Sequence, residues 1–125
     1  MPLVRRVLAL QGALYIITGL WPLVHLASFE LVTGPKTDDW LVRTVGVLLA
    51  VIGAVFAAAA AQPAIDRLLG MLAIGVALAL ASVEISYVAS GTIGAVYLID
   101  AVIELVFAAL LVFAAVRAAG RPAPA

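Results

Sequence analysis

The sequence predicts an all-α transmembrane fold: a four-helix bundle of two antiparallel hairpins with both termini on the cytoplasmic side. Three observations carry this expectation. Four apolar runs are each long enough to cross a hydrocarbon core, short segments rich in turn residues separate them, and the arginines gather at one end of the expected bundle.

Of the 125 residues, 66% are hydrophobic and only 11% are charged, against roughly 45–50% and about 25% in ordinary soluble domains. A soluble domain of this length has too little interior to hide such a surface. The chain therefore reads as one integral membrane domain, residues 1–125. Its formal net charge of zero offers no basic field for nucleic acid. Cysteine is absent, which excludes disulfides and cysteine-held metals. Six of the seven cationic side chains are arginine and alanine dominates the apolar set, a usage that fits a GC-rich bacterial genome.

The first helix is expected over residues 4–28. Paired Arg5 and Arg6 before an apolar run also suit a cleaved signal peptide. The run is long, however, it is broken by Gln11 and Tyr15, and it ends without a small-x-small cleavage site. A retained span is therefore expected. Gly34-Pro35 interrupts the chain next, and Thr37, Asp38 and Asp39 offer capping oxygens to a second helix over residues 41–61. Gln62-Pro63 stops that helix, because proline lacks the donor and restricts the residue before it. Asp66 caps the third helix, residues 68–89. Ser90-Gly91-Thr92 then reads as a very tight turn into the fourth, residues 92–116.

Orientation follows from the arginines. Arg5, Arg6, Arg67, Arg117 and Arg121 fall at one end, while Lys36 and Arg43 stand at the other beside Glu30, Asp38 and Asp39. Positive charge marks the cytoplasmic face, so the expectation is N-in, C-in, in a cell inner membrane. Residues 26–31 parallel residues 80–85, and residues 40–60 laid over 97–117 pair Arg43 with Asp100. Such matches suggest a duplicated hairpin, but they also arise by chance among Ala-, Leu- and Val-rich helices.

Within these apolar helices Glu84, Asp100 and Glu104 demand a reason. An aspartate at the centre of a span costs about 2.5–3.5 kcal/mol even on mild insertion scales. Asp100 and Glu104 are four apart on one helical face, which Tyr97 extends. Glu84 follows Ala77 and Ala81 on its own face, where another helix can approach closely. On the first helix Gln11, Tyr15, Thr18, Pro22 and His25 form a polar stripe at helical spacing. On the second, Arg43 stands above a seam of Gly46, Ala50, Gly53 and Ala57.

Counting 1.5 Å per residue from each midpoint puts Glu104 near the midplane, and Glu84 and Asp100 roughly 8–9 Å toward the outside. Arg43, Tyr97 and His25 come out roughly 12–15 Å outward. The pattern describes a periplasm-facing polar funnel with acids at its base, capped by Arg43 and His25. An interhelical ion pair of Arg43 with Asp100 or Glu84 is expected. Three acids against one arginine leave an excess, so at least one acid is expected to be protonated or to hold a cation. The Glu-x-x-His spacing of di-iron bundles is missing and no nucleophile–base constellation stands out, so neither a metal, a cofactor nor a catalytic residue is expected.

The run Phe29-Glu30-Leu31-Val32-Thr33-Gly34-Pro35-Lys36-Thr37-Asp38-Asp39-Trp40-Leu41-Val42-Arg43 resembles a stretch of small bacterial inner-membrane proteins, a resemblance that implies a membrane location and no activity. Small multidrug transporters share the four-helix plan and the length, but they carry their key acid in the first helix, where this chain has none before Glu30.

The functional expectation is proton- or cation-linked handling of a small solute. The site residues would be Glu84, Asp100, Glu104, Arg43, His25, Tyr97, Tyr15 and Gln11. The alternatives are an enzyme or binding protein for a sterol- or quinone-like substrate, and a structural accessory subunit. A unit this small is expected to form a homo-oligomer through the glycine and alanine faces of its second and third helices.

Overall fold

The computed structural model describes residues 2–121 and is all-α, with five helices and no strand among them. In chain order they are α1 (Pro2–Val24), α2 (Leu26–Thr33), α3 (Asp39–Ala60), α4 (Arg67–Ala89) and α5 (Tyr97–Ala119). The four long helices are each long and apolar enough to span a membrane, with mean hydropathy between 1.7 and 2.5. Their outward faces carry aliphatic side chains, among them Leu10, Ile17, Val51, Leu72 and Val102, all exposed. A water-soluble bundle would present polar residues there, so these faces mark a multi-pass membrane protein.

α1 occupies the central place. It packs most extensively against α3, α4 packs against α5, and a smaller contact joins α1 to α5. The α1–α3 seam depends on four glycines. Gly12 lies against Gly53 and Gly19 against Gly46, so residue numbers fall along α3 as they rise along α1 and the two helices run in opposite directions. A Cβ on Gly12 would stand 2.6 Å from the Gly53 carbonyl oxygen and 2.8 Å from the Ala57 nitrogen. The contact is therefore backbone on backbone, the arrangement that small residues permit in a bilayer, where apolar side chains gain little from leaving lipid. Arg5 fastens one end of the seam. Its guanidinium donates to the Ala60 and Pro63 carbonyls at 3.0 and 2.6 Å, a cation placed where the C-terminus of α3 has unpaired acceptors.

Three features depart from the sequence-based expectation. The first helix is not continuous over residues 4–28: the chain breaks at His25 and resumes as α2, which runs to Thr33. His25 has non-helical dihedrals (φ −150°, ψ 84°), and its Nδ1 accepts the Ser28 amide at 3.1 Å, so it caps α2. Trp21 holds the short helix in place by donating to Ser28 Oγ at 2.9 Å and packing edge-on against Phe29. Gly34 ends α2 at φ 99°, a conformation open to glycine.

Secondly, α5 starts at Tyr97 and not at Thr92, so residues 90–96 form a longer connection than a tight turn. Gly91 permits its reversal at φ 76°. The later start moves the midpoint of α5 to Ala108 and sets Glu104 about one helical turn, roughly 6 Å, before it. Thirdly, Gly46 and Gly53 are spent on α1 and offer no face to a second copy of the chain.

The seam yields a stability test. Gly12→Val must push the two backbones apart and is expected to lower stability in detergent by about 1–3 kcal/mol. Gly75, where a Cβ would meet nothing within 4 Å, should accept alanine without loss. Thermal unfolding of both variants measures the difference. Equal midpoints would show that the seam does not set stability.

Candidate functional site

The polar stripe of α1 splits between two tasks. Gln11 and Tyr15 turn toward α4 and α5, while Thr18 returns its hydroxyl to its own helix by donating to the Leu14 carbonyl at 2.8 Å. Pro22 is buried and lies against Gly46. The inward pair forms a closed network in the bundle core. Gln11 Nε2 donates to the Ala73 carbonyl of α4 at 3.0 Å and to the Tyr15 hydroxyl at 3.1 Å. Tyr15 in turn donates to Glu104 Oε2 of α5 at 2.6 Å. All three side chains are at most 1% exposed. Phe56 of α3 closes the other side of the Tyr15 ring at 6.0 Å between centroids.

Short hydrogen bonds in a medium without competing water are strong, and here the network joins α1, α4 and α5. The Ala73 carbonyl fixes the Gln11 amide, since a flipped amide would set two acceptors face to face. Gln11 Oε1 is left buried and without a partner.

Further out lie Glu84 and Asp100. Asp100 falls in the first turn of α5, where the helix N-terminus favours negative charge. The Glu84 carboxyl of α4 is only 6% exposed, and neither of its oxygens has a hydrogen-bond partner among the described residues. Ala81 and Ala77, one and two turns before it, are buried as their spacing suggested, and they let α4 approach closely there. Asp100 and Glu104 share a face of α5, four residues apart, with Asp100 nearer the α4–α5 connection.

Other expected members are engaged elsewhere or exposed. Arg43 is exposed on α3 and makes no ion pair among the described residues; α3 packs against α1, and Arg43 is thereby kept from the acids of α4 and α5. The expected Arg43–Asp100 or Arg43–Glu84 pair is absent. His25 is exposed and occupied as the cap of α2. Tyr97, half-buried at the start of α5, lies under the Lys36 ammonium at 5.1 Å.

Sequence reading missed this lysine. Lys36 also donates to the Thr33 and Gly34 carbonyls and lies 5.9 Å from the Phe29 ring, so it joins the end of α2 to the start of α5. Nearby, the Asp39 carboxyl beside Glu30 pushes Glu30 above the usual carboxylate range, with Lys36 opposing the shift.

Two open grooves run between helices. One, of about 340 Å³, is lined by Ile16, Leu20, Val47 and Val51 of α1 and α3 among others. The second, of about 490 Å³, lies between α4 and α5 along Leu78, Leu105, Ala108 and Phe113. Both are apolar, and none of the acids lines either of them. No group of three metal-ligating side chains converges among the described residues. Comparison with known proteins returned no match, whether to a family model, a curated protein or a solved structure.

The network predicts coupling between α1 and α5. A double-variant cycle of Tyr15→Phe with Glu104→Gln, followed by unfolding in detergent, should give an interaction of about 0.5–3 kcal/mol. Strict additivity would mean that the bond contributes nothing. Arg43→Leu should change stability by no more than about 0.5 kcal/mol, as for a side chain without a buried partner.

Proposed function

We propose that the protein handles a small solute in exchange for protons, using the acids inside its bundle as the proton-holding groups. The observation that carries this reading is three carboxyl groups on α4 and α5 with no cationic side chain paired to any of them among the described residues. Buried acids that serve structure alone are commonly matched with arginine or lysine. Unmatched acids hold protons or cations instead. With Arg43 outside the cluster, the site favours a cationic solute over an anionic one.

In this reading the chain lies in a bacterial inner membrane as two antiparallel hairpins, α1 with α3 and α4 with α5. Both termini face the cytoplasm, as the arginines imply. It acts as a homo-oligomer. Since Gly46 and Gly53 face α1, the contact falls to α4, where Gly70 and Gly75 have nothing within 4 Å. A second reading, a structural accessory subunit, is favoured by the sealing of Glu104, at 1% exposure, away from both grooves.

Two measurements test these statements. Because the chain lacks cysteine, single cysteines at Thr37 and Ala64 are clean probes of topology. An impermeant thiol reagent outside spheroplasts should label the first and spare the second; the reverse pattern overturns the orientation. For activity, vesicles carrying the protein and a trapped pH indicator are challenged with choline, ethylamine, lysine and, as an anionic control, acetate. A cationic probe should move protons, with a loss of about 100-fold or more in Asp100→Asn, the scale of removing one proton-transfer group. If no probe moves protons, the accessory-subunit reading replaces the first.

A further inference from the structure

The groove between α4 and α5 leads to a cation. Along α5 it follows Leu105, Ala108, Ala109, Val112 and Phe113, and Leu78 of α4 forms its other wall. Ala108 is buried beneath it, while Leu78, Leu105, Val112 and Phe113 are exposed along its sides. Its volume of about 490 Å³ is that of a small-molecule site, about 300–1,000 Å³. Arg117 stands one helical turn beyond Phe113, and its guanidinium carbon lies 5.6 Å from the centre of the Phe113 ring. A single side chain thus lines the groove and steadies the cation at its end. Arg117 is exposed, with no hydrogen-bond or ion-pair partner among the described residues.

α4 brings a second cation to the same end. Arg67, Met71 and Leu78 fall on one face of α4, all three exposed. Residues 90–96 reach at most about 28 Å. They are too few to return along the roughly 35 Å of α4, so α5 runs in the opposite direction. From the shared groove, Arg67 lies roughly 16 Å back along α4 and Arg117 roughly 14–18 Å onward along α5. The two arginines therefore come level.

We propose that the α4–α5 groove binds one anionic phospholipid, with an acyl chain along the trough and the phosphate between Arg117 and Arg67.

An acyl chain is apolar, unbranched and flexible, which suits a trough floored by alanine. Guanidinium groups offer paired donors that match a phosphate. The order of the two parts also agrees: the cations stand at the helix ends, and the trough runs inward past Ala108, the midpoint of α5. A phospholipid in a bilayer presents charge and chain in that same order. The groove between α1 and α3 provides an internal contrast. It too is apolar, and Arg43 lies one turn before its Val47 wall, but Asp38 and Asp39 stand at the start of that helix and Glu30 on α2. Carboxylates there repel a phosphate. At the Arg117 end the carboxylate among the described residues is Asp66, which already accepts the Leu68 amide at 2.7 Å. The site uses none of the buried acids, so it stands or falls apart from the proposed proton handling.

Lipid titration in an uncharged detergent, read by native mass spectrometry, tests the site. The probes are palmitoyl-oleoyl phosphatidylglycerol and palmitoyl-oleoyl phosphatidylcholine, which share their chains and differ in net charge. One phosphatidylglycerol should bind in clear preference to phosphatidylcholine. Arg117→Gln and Arg67→Gln should each reduce that preference about fivefold, the worth of one basic side chain near an anionic surface. Ala109→Phe fills the trough and should weaken both lipids while keeping their ratio. Arg6→Gln removes an exposed cation outside the groove and should change neither affinity. All four positions are exposed, and monodispersity in detergent confirms that each variant folds. Equal affinity for the two lipids overturns the proposal. So does an Arg6→Gln loss as large as that of Arg117→Gln with Ala109→Phe silent, the mark of diffuse attraction to a basic end. Displacement of the lipid by an equal concentration of glycerol 3-phosphate, a headgroup without chains, overturns it as well.

Discussion

A polar side chain placed in hydrocarbon must find its partner within the protein, and α1 is arranged around that requirement. One of its faces carries Gln11 and Tyr15, which have no use for lipid and reach Ala73 and Glu104. Another carries Gly12 and Gly19, which bring α3 to backbone contact. Each face supports the other. The glycine seam holds α1 at a fixed rotation, and that rotation aims Tyr15 at α5. Turning α1 by one residue, about 100°, would carry the tyrosine out of reach of Glu104 and the glycines off the α3 backbone together.

The two halves of the bundle meet these demands with different chemistry. Between α1 and α3 the contact is backbone on backbone, made by glycines and fastened by Arg5. Between α4 and α5 it is looser, and alanines at 73, 77, 81, 101 and 108 line the buried faces. This looser half holds the acids, and tight glycine packing would leave no room for carboxyl groups. The small polar parts around α2, Trp21 with Ser28 and Lys36 with Tyr97, tie that helix down over one end of the bundle.

Most of this architecture was legible in the residues. Four long apolar runs gave four spans, and Asp66 does cap α4, accepting from the Leu68 amide at 2.7 Å. The spacing of Gln11 and Tyr15 and of Asp100 and Glu104 put each pair on one helical face, and the structure joins Tyr15 to Glu104. What escaped the sequence depends on which helix meets which. Helical period shows that Arg43 shares a face with Gly46 and Gly53, but not that this face meets α1 and so leaves Arg43 away from the acids. The break at His25 was hidden because His, Leu and Ala suit a continuing helix; a side chain capping Ser28 stops it. The late start of α5 was masked by Ile93 and Val96, whose apolar character extends the run without extending the helix.

The Tyr15–Glu104 bond joins residues 89 positions apart. A ribosome therefore delivers α1 to the bilayer long before its partner exists. In that interval Gln11 and Tyr15 have neither the Ala73 carbonyl nor Glu104 to satisfy them, and a lone α1 retains a reason to stay near water, the translocation machinery or another polar surface. The hydrogen bond of Tyr15 is thus tied to the last span: a chain that ends before Glu104 leaves the Tyr15 hydroxyl without the acceptor that α5 supplies.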